Sequence, residues 1–124
     1  MNWNVKTESW RYVNREKNFA VEVHKWEEYG RTTWNKYLYL YPENLDFGKY
    51  VPKENQIFPD VPYEFNYGIT YYHEGFDRAG NFLYQLFGDD YNHAMDMENP
   101  VGSDGARVFE DAKALIAQLE ANHG

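Results

Sequence analysis

Asp89, Asp90, Tyr91, Asn92 and His93 stand in one run, the densest collection of hydrogen-bonding side chains in the 124-residue chain. Carboxylates and an imidazole this close can hold a metal or move protons. His73, Glu74 and Asp77 lie shortly upstream and could join them. The spacing fits no zinc motif, because His73-Glu74 is not followed by a second His in the required place. The run reads better as a hydrogen-bonded structural cluster or a binding site. No catalytic residue, metal ligand or cofactor is assigned.

Arg107 is the more informative cation. It falls in the first turn of an expected helix, where the helix dipole disfavours a positive charge by up to about 1 kcal/mol. Gly102-Ser103-Asp104-Gly105 precedes it, a flexible, hydroxyl-bearing approach whose N–H groups could face an anion. Arg107 could therefore clamp a phosphate, or simply pair with Asp104 or Asp111 at the surface. Phe82 and Tyr71 offer faces on which a base can stack, and the Asn92 amide can read an adenine edge. The candidate ligand-binding set is Phe82, Asn92, Arg107, Tyr71, Asp90 and His93.

These residues need elements to position them. Ile69–Glu74 and Phe82–Gly88 are aromatic runs separated by Gly75, Asp77, Arg78 and Gly80, the pattern of a hairpin. Upstream, Trp3–Tyr12, Phe19–Trp26 and Trp34–Tyr41 read as three strands of an antiparallel meander. In the last of these, Leu38 and Leu40 alternate with Tyr37, Tyr39 and Tyr41. Residues 42–65 carry Pro42, Pro52, Pro59 and Pro62 and read as an ordered excursion with one helical turn, packed through Leu45, Phe47, Ile57 and Phe58. Ser103 and Asp104 are the expected N-caps. Phe109, Ala112, Leu115, Ile116 and Leu119 then recur at helical spacing, giving an amphipathic helix over 106–121. The expected fold is α+β: an antiparallel sheet of five or six strands with the C-terminal helix packed on it. The chain is one domain, with a sheet region over 1–88, a polar site loop over 89–105 and the helix over 106–121.

Composition narrows the function. The 4 Trp, 12 Tyr and 8 Phe outnumber the aliphatic Val, Ile and Leu. Buried Tyr and Trp each need a hydrogen-bond partner, so many should sit half-exposed on a sheet face or around a cleft. There is no Cys, which removes disulfides and thiolate metal sites. No apolar run is long enough to span a bilayer, and no secretory leader is evident, so a soluble intracellular protein without a membrane partner is expected. The net charge of −8, concentrated in 89–111, opposes binding of long nucleic acid. A small phosphate-bearing ligand remains compatible, since local donors outweigh net charge at short range.

Gly68-Ile69-Thr70-Tyr71, then Gly88-Asp89-Asp90-Tyr91-Asn92-His93 with Asp96, and then the Val108–Leu119 helix resemble a family of small phage-encoded proteins. That family carries a His-Gly-Gly-x-Thr-Tyr strand, a Gly-x-Asp-x-x-His element followed by another Asp, and a closing helix. The resemblance covers roughly the last half of the chain. It departs at Asn66 and Tyr67, where the family has His and the first Gly. Within this group the chain looks like the Thoeris anti-defence sponge proteins. The resemblance implies a homo-oligomer in the cytoplasm of an infected bacterial host, sequestering a cyclic ADP-ribose isomer without degrading it. Two other readings stay open: an acidic phage inhibitor that binds a host defence protein directly, and a small nucleotide hydrolase.

Overall fold

The structure, a computed structural model, describes residues 5–28, 30–91 and 105–121. Five strands and one helix follow in chain order: β1 (Val5–Asn14), β2 (Phe19–Glu28), β3 (Arg31–Leu40), β4 (Tyr71–Phe76), β5 (Phe82–Asp90) and α1 (Ala106–Ala121). They form one antiparallel sheet in the order β1-β2-β3-β5-β4 with α1 packed on it, an α+β fold. The first three strands are a meander. The second hairpin then joins through its later strand, so β5 rather than β4 lies beside β3. Among the described residues no helix is long and apolar enough to cross a membrane.

Alternation decides what each face buries. Phe19, Val21 and Val23 of β2, Trp34, Leu38 and Leu40 of β3, and Phe87 of β5 point to one side and are almost fully buried. Helix α1 covers β2 and β3 on that side with Val108, Ala112, Leu115 and Leu119. Trp10, Trp34 and Phe109 complete the corner, with ring centroids 5.1 to 6.0 Å apart. Gly105 lies beneath Trp34 at φ +66°, and an added Cβ there would stand 2.4 Å from the indole. Its carbonyl accepts the first helical hydrogen bond, from Phe109 N at 3.0 Å. Gly105 therefore takes the N-cap position expected of Ser103 or Asp104, which lie outside the described residues.

The excursion between β3 and β4 covers the same side over β5 and β4. The helical turn expected within 42–65 does not form. The chain passes instead from turn to turn, with Glu43, Gly48 and Asn55 at positive φ, and its prolines remove the amide donors a helix needs. Its anchor is Gln85, fully buried on β5. The Gln85 amide accepts from Gly48 N at 2.8 Å and donates to Tyr50 O at 2.9 Å and to the Tyr72 hydroxyl at 3.0 Å. Buried Asp46 accepts a hydrogen bond from Tyr63, whose hydroxyl pKa is driven up first by burial and then by that bond. A polar core of this kind is stable only because its donors and acceptors are matched.

The opposite sheet face carries Tyr37, Tyr39, Tyr71, Tyr84, His24 and Trp26. No element among the described residues packs over it. Tyr71 is 45% exposed and Trp26 37%. Arg11 crosses this face, paired with Glu22 and 4.8 Å from the Tyr39 ring centroid.

Candidate functional site

Position 36 is one that the β3 alternation reserves for an apolar residue, yet it holds a lysine. Lys36 lies between Trp34 and Leu38 on the buried side and is 1% exposed. Directly across the ladder is Asp89 of β5. Lys36 Nζ stands 3.0 Å from Asp89 Oδ2, and both side chains are sealed from solvent. A charge so buried is tolerated only when paired and hydrogen-bonded. The carboxylate meets both conditions: it also accepts from Lys36 N at 3.2 Å and from Asn66 N at 2.6 Å. Burial nevertheless pushes the Asp89 carboxyl up to about 6, against the attraction of Lys36.

Tyr91 extends the cluster toward the helix. Lys36 Nζ donates to the Tyr91 hydroxyl at 3.4 Å, which donates to Asp111 at 2.6 Å. Burial first, then the charge of Asp89, drives the Tyr91 hydroxyl pKa upward, so it stays a proton donor. The Arg107 guanidinium lies 5.4 Å from the centre of the Tyr91 ring, and Lys36 Nζ lies 5.7 Å from the same centre. One tyrosine thus meets two cations, a favourable arrangement for an electron-rich ring.

The segment before β4 forms the outer wall of this cluster. Besides its amide bond to Asp89, Asn66 donates through Nδ2 to Asp90 O at 2.9 Å. Thr70 N reaches Gly88 O at 2.8 Å, and Gly68 N turns back to Phe65 O at 3.2 Å. Between them Tyr67 adopts φ +57° and Gly68 φ +86°. Glu64 N is tied to α1 through the side chain of Gln118 at 3.2 Å.

Two cavities open along this wall and share Glu64 and Phe65. The larger, about 580 Å³, is bounded by Phe58, Pro59, Val61, Tyr63 and Ile69 together with Asp60 and Gly68. Its volume lies within the range that holds a nucleotide-sized ligand, and its ring-lined walls suit a flat group. The smaller, about 170 Å³, is polar and bounded by Lys36, Asn66, Tyr67 and Asp111. Lys36 shares this lining with the carboxylates of Glu64 and Asp111, so it is not a simple anion hole. Its acceptors suit sugar hydroxyls; Arg107 lines neither cavity but lies on the Tyr91 ring, and its guanidinium is of the type that binds phosphate.

The residues expected to bind ligand are divided by the fold. Arg107 and the end of β5 do come together, through Tyr91. Asp90 follows the alternation onto the open face, opposite Asn35. Tyr71 is on that face too, its ring 6.2 Å from Tyr37. Phe82 begins β5 whereas Tyr91 follows its end, a separation of roughly 25–30 Å along a strand. It packs between Phe47 at 4.6 Å and Phe76 at 5.1 Å. One chain therefore does not join Phe82 to Arg107. Asn92 and His93 lie outside the described residues. Asp77 caps its own turn, accepting from Ala79 N, Asn81 N and Asn81 Nδ2, which lowers its pKa. Among the described residues no group of three His, Asp or Glu side chains is arranged to hold a metal.

No family model, curated protein or solved structure matches the chain. The site must be read from its own geometry. Lys36, Glu64 and Phe65 were not singled out from the sequence, whereas Asn66 and Tyr67 were marked as departures from the resembled family and Asp111 as a surface partner for Arg107. A signal existed for Lys36, since it shares the parity of Leu38 and Leu40. The residue type of Asn66 gave no signal of its contact with Asp89, which is made by its backbone amide.

Proposed function

We propose that the chain is a capture protein for a small nucleotide, binding it without chemical change. The observation that carries this reading is the pair of adjoining cavities, one walled by rings and one polar, along the Phe58–Ile69 segment. A base stacks on the aromatic walls, ribose hydroxyls bond to Glu64 and Asp111, and Arg107 meets a phosphate. Asp89, the carboxyl with the raised pKa, is sealed beneath Lys36 and does not line either cavity, which favours binding over proton transfer.

The resemblance carried by Gly68–Tyr71 and Gly88–His93 names the ligand as a cyclic ADP-ribose isomer. On that reading the chain is a phage anti-defence protein that depletes a Thoeris signal in the host cytoplasm. The open tyrosine face supports self-association, at least to a dimer, because an apolar patch of that kind usually marks an interface. Light scattering at micromolar chain concentration tests this, and a strict monomer refutes it.

Incubating the chain with a cyclic ADP-ribose isomer, removing free ligand and heating the complex separates the alternatives. Recovery of intact ligand by mass spectrometry is the expected result. A breakdown product points to a hydrolase. Failure to retain ligand makes direct binding to a host defence protein the better reading, for which the net charge of −8 supplies a surface field.

A further inference from the structure

Tyr67 stands at an odd place for a tyrosine. Its φ of +57° lies in the left-handed region, where a bulky side chain is an outlier and glycine is the unstrained choice. Its ring is not placed there to fill the core, since the residue is 56% exposed. The backbone around it is nonetheless fixed. Asn66 is held by Asp89 Oδ2 and Asp90 O, and Thr70 by Gly88 O. These bonds hold the left-handed turn, and Tyr67 belongs to the lining of the polar cavity together with Lys36 and Asp111. Observed strain that neighbouring structure enforces at the edge of a cavity is a sign of function.

We infer that Tyr67 is a specificity-determining residue where the two cavities adjoin, its ring packing over the outer face of the base that the walls of the larger cavity hold. This rests on the nucleotide-capture reading and names the part of the ligand that is discriminated. Stacking needs a ring and no particular hydroxyl, and it distinguishes a base-bearing ligand from a sugar phosphate lacking one. A rigid loop lowers the ordering cost of that contact, because the ring is already close to its bound position.

The inference separates binding from stability, which a merely structural tyrosine does not. Tyr67→Gly removes the ring and relieves the left-handed strain, whereas Tyr67→Phe keeps the ring. With a cyclic ADP-ribose isomer as the probe, Tyr67→Phe should bind within about threefold of wild type. Tyr67→Gly should lose about tenfold or more, with a thermal midpoint equal to or above that of wild type. Wild-type affinity in Tyr67→Gly, or a lowered midpoint in that variant, overturns the role assigned to Tyr67 and leaves the capture reading standing. An absence of binding by wild type overturns the capture reading and the role of Tyr67 together.

Discussion

Lys36 Nζ and Asp89 Oδ2 lie 3.0 Å apart at the centre of one sheet face, with side chains 1% and 0% exposed. The pair joins β3 to β5, and Asp89 also holds the Asn66 amide, so the cavity wall hangs from a buried carboxylate. Removing the cation alone leaves that carboxylate uncompensated. Lys36→Met should therefore cost about 3–5 kcal/mol of unfolding free energy. Lys36→Met combined with Asp89→Leu should cost less than Lys36→Met alone, because neither charge is then stranded. Urea unfolding of the three chains measures both quantities, and a single-mutant loss under about 1 kcal/mol contradicts the pairing.

Acid should affect this pair in a defined direction. Burial raises the Asp89 carboxyl to about 6, above the value near 4 of an unfolded chain. The folded protein then binds the Asp89 proton more tightly than the unfolded one. That contribution to stability is fully present below about pH 4 and is lost as pH rises through about 6. An NMR titration of the Asp89 carboxyl carbon should show a midpoint near 6 in the folded chain. A midpoint at or below 4 would mean that Lys36 and the Asn66 amide outweigh desolvation.

Gly105 is required twice over, by its φ of +66° and by the indole of Trp34 standing where a Cβ would go. Gly105→Ala should destabilise the fold by about 2–4 kcal/mol, combining left-handed strain with overpacking. The Trp34 environment should change with it, so tryptophan emission and the urea midpoint should move together. A loss below about half a kcal/mol would show that the helix start shifts without cost.

Phe82 and Arg107 should separate cleanly. Phe82 packs between Phe47 and Phe76 at the far end of β5, so Phe82→Ala should lower stability by about 2–4 kcal/mol and leave ligand affinity unchanged. Arg107→Ala should lower affinity about a hundredfold, the loss of one charged hydrogen bond to phosphate. Calorimetric titration beside thermal melting distinguishes them. Equal loss of affinity in both would mean that Phe82 of a second copy completes the groove.

The elements were legible in the sequence where one face alternates or repeats strongly. Val21 and Val23, Leu38 and Leu40, and the Leu115–Leu119 series mark β2, β3 and α1 because burial on one side imposes the period. The start of the fourth strand was expected at Ile69 and lies at Tyr71, since Tyr67 and Gly68 at positive φ keep the chain turning before it pairs. That β5 lies between β3 and β4 was not legible, because strand order depends on side chains meeting across distant segments. The site was half legible. Arg107 and the Asp89–Tyr91 run do converge, but Asp89 and Tyr91 face inward while Asp90 faces outward, and strand parity alone sets that division. The cavity wall was hidden because it is built from backbone amides and left-handed turns, which carry little signature in residue type.

Binding of a nucleotide without turnover is most directly tested by calorimetric titration of the wild-type chain with a cyclic ADP-ribose isomer at neutral pH. The expected result is saturable heat with one ligand per chain, a negative heat-capacity change from burial of the base, and quantitative recovery of the unaltered ligand afterwards. No saturable heat at ligand concentrations of about 1 mM, or steady conversion of the ligand during the titration, would contradict it.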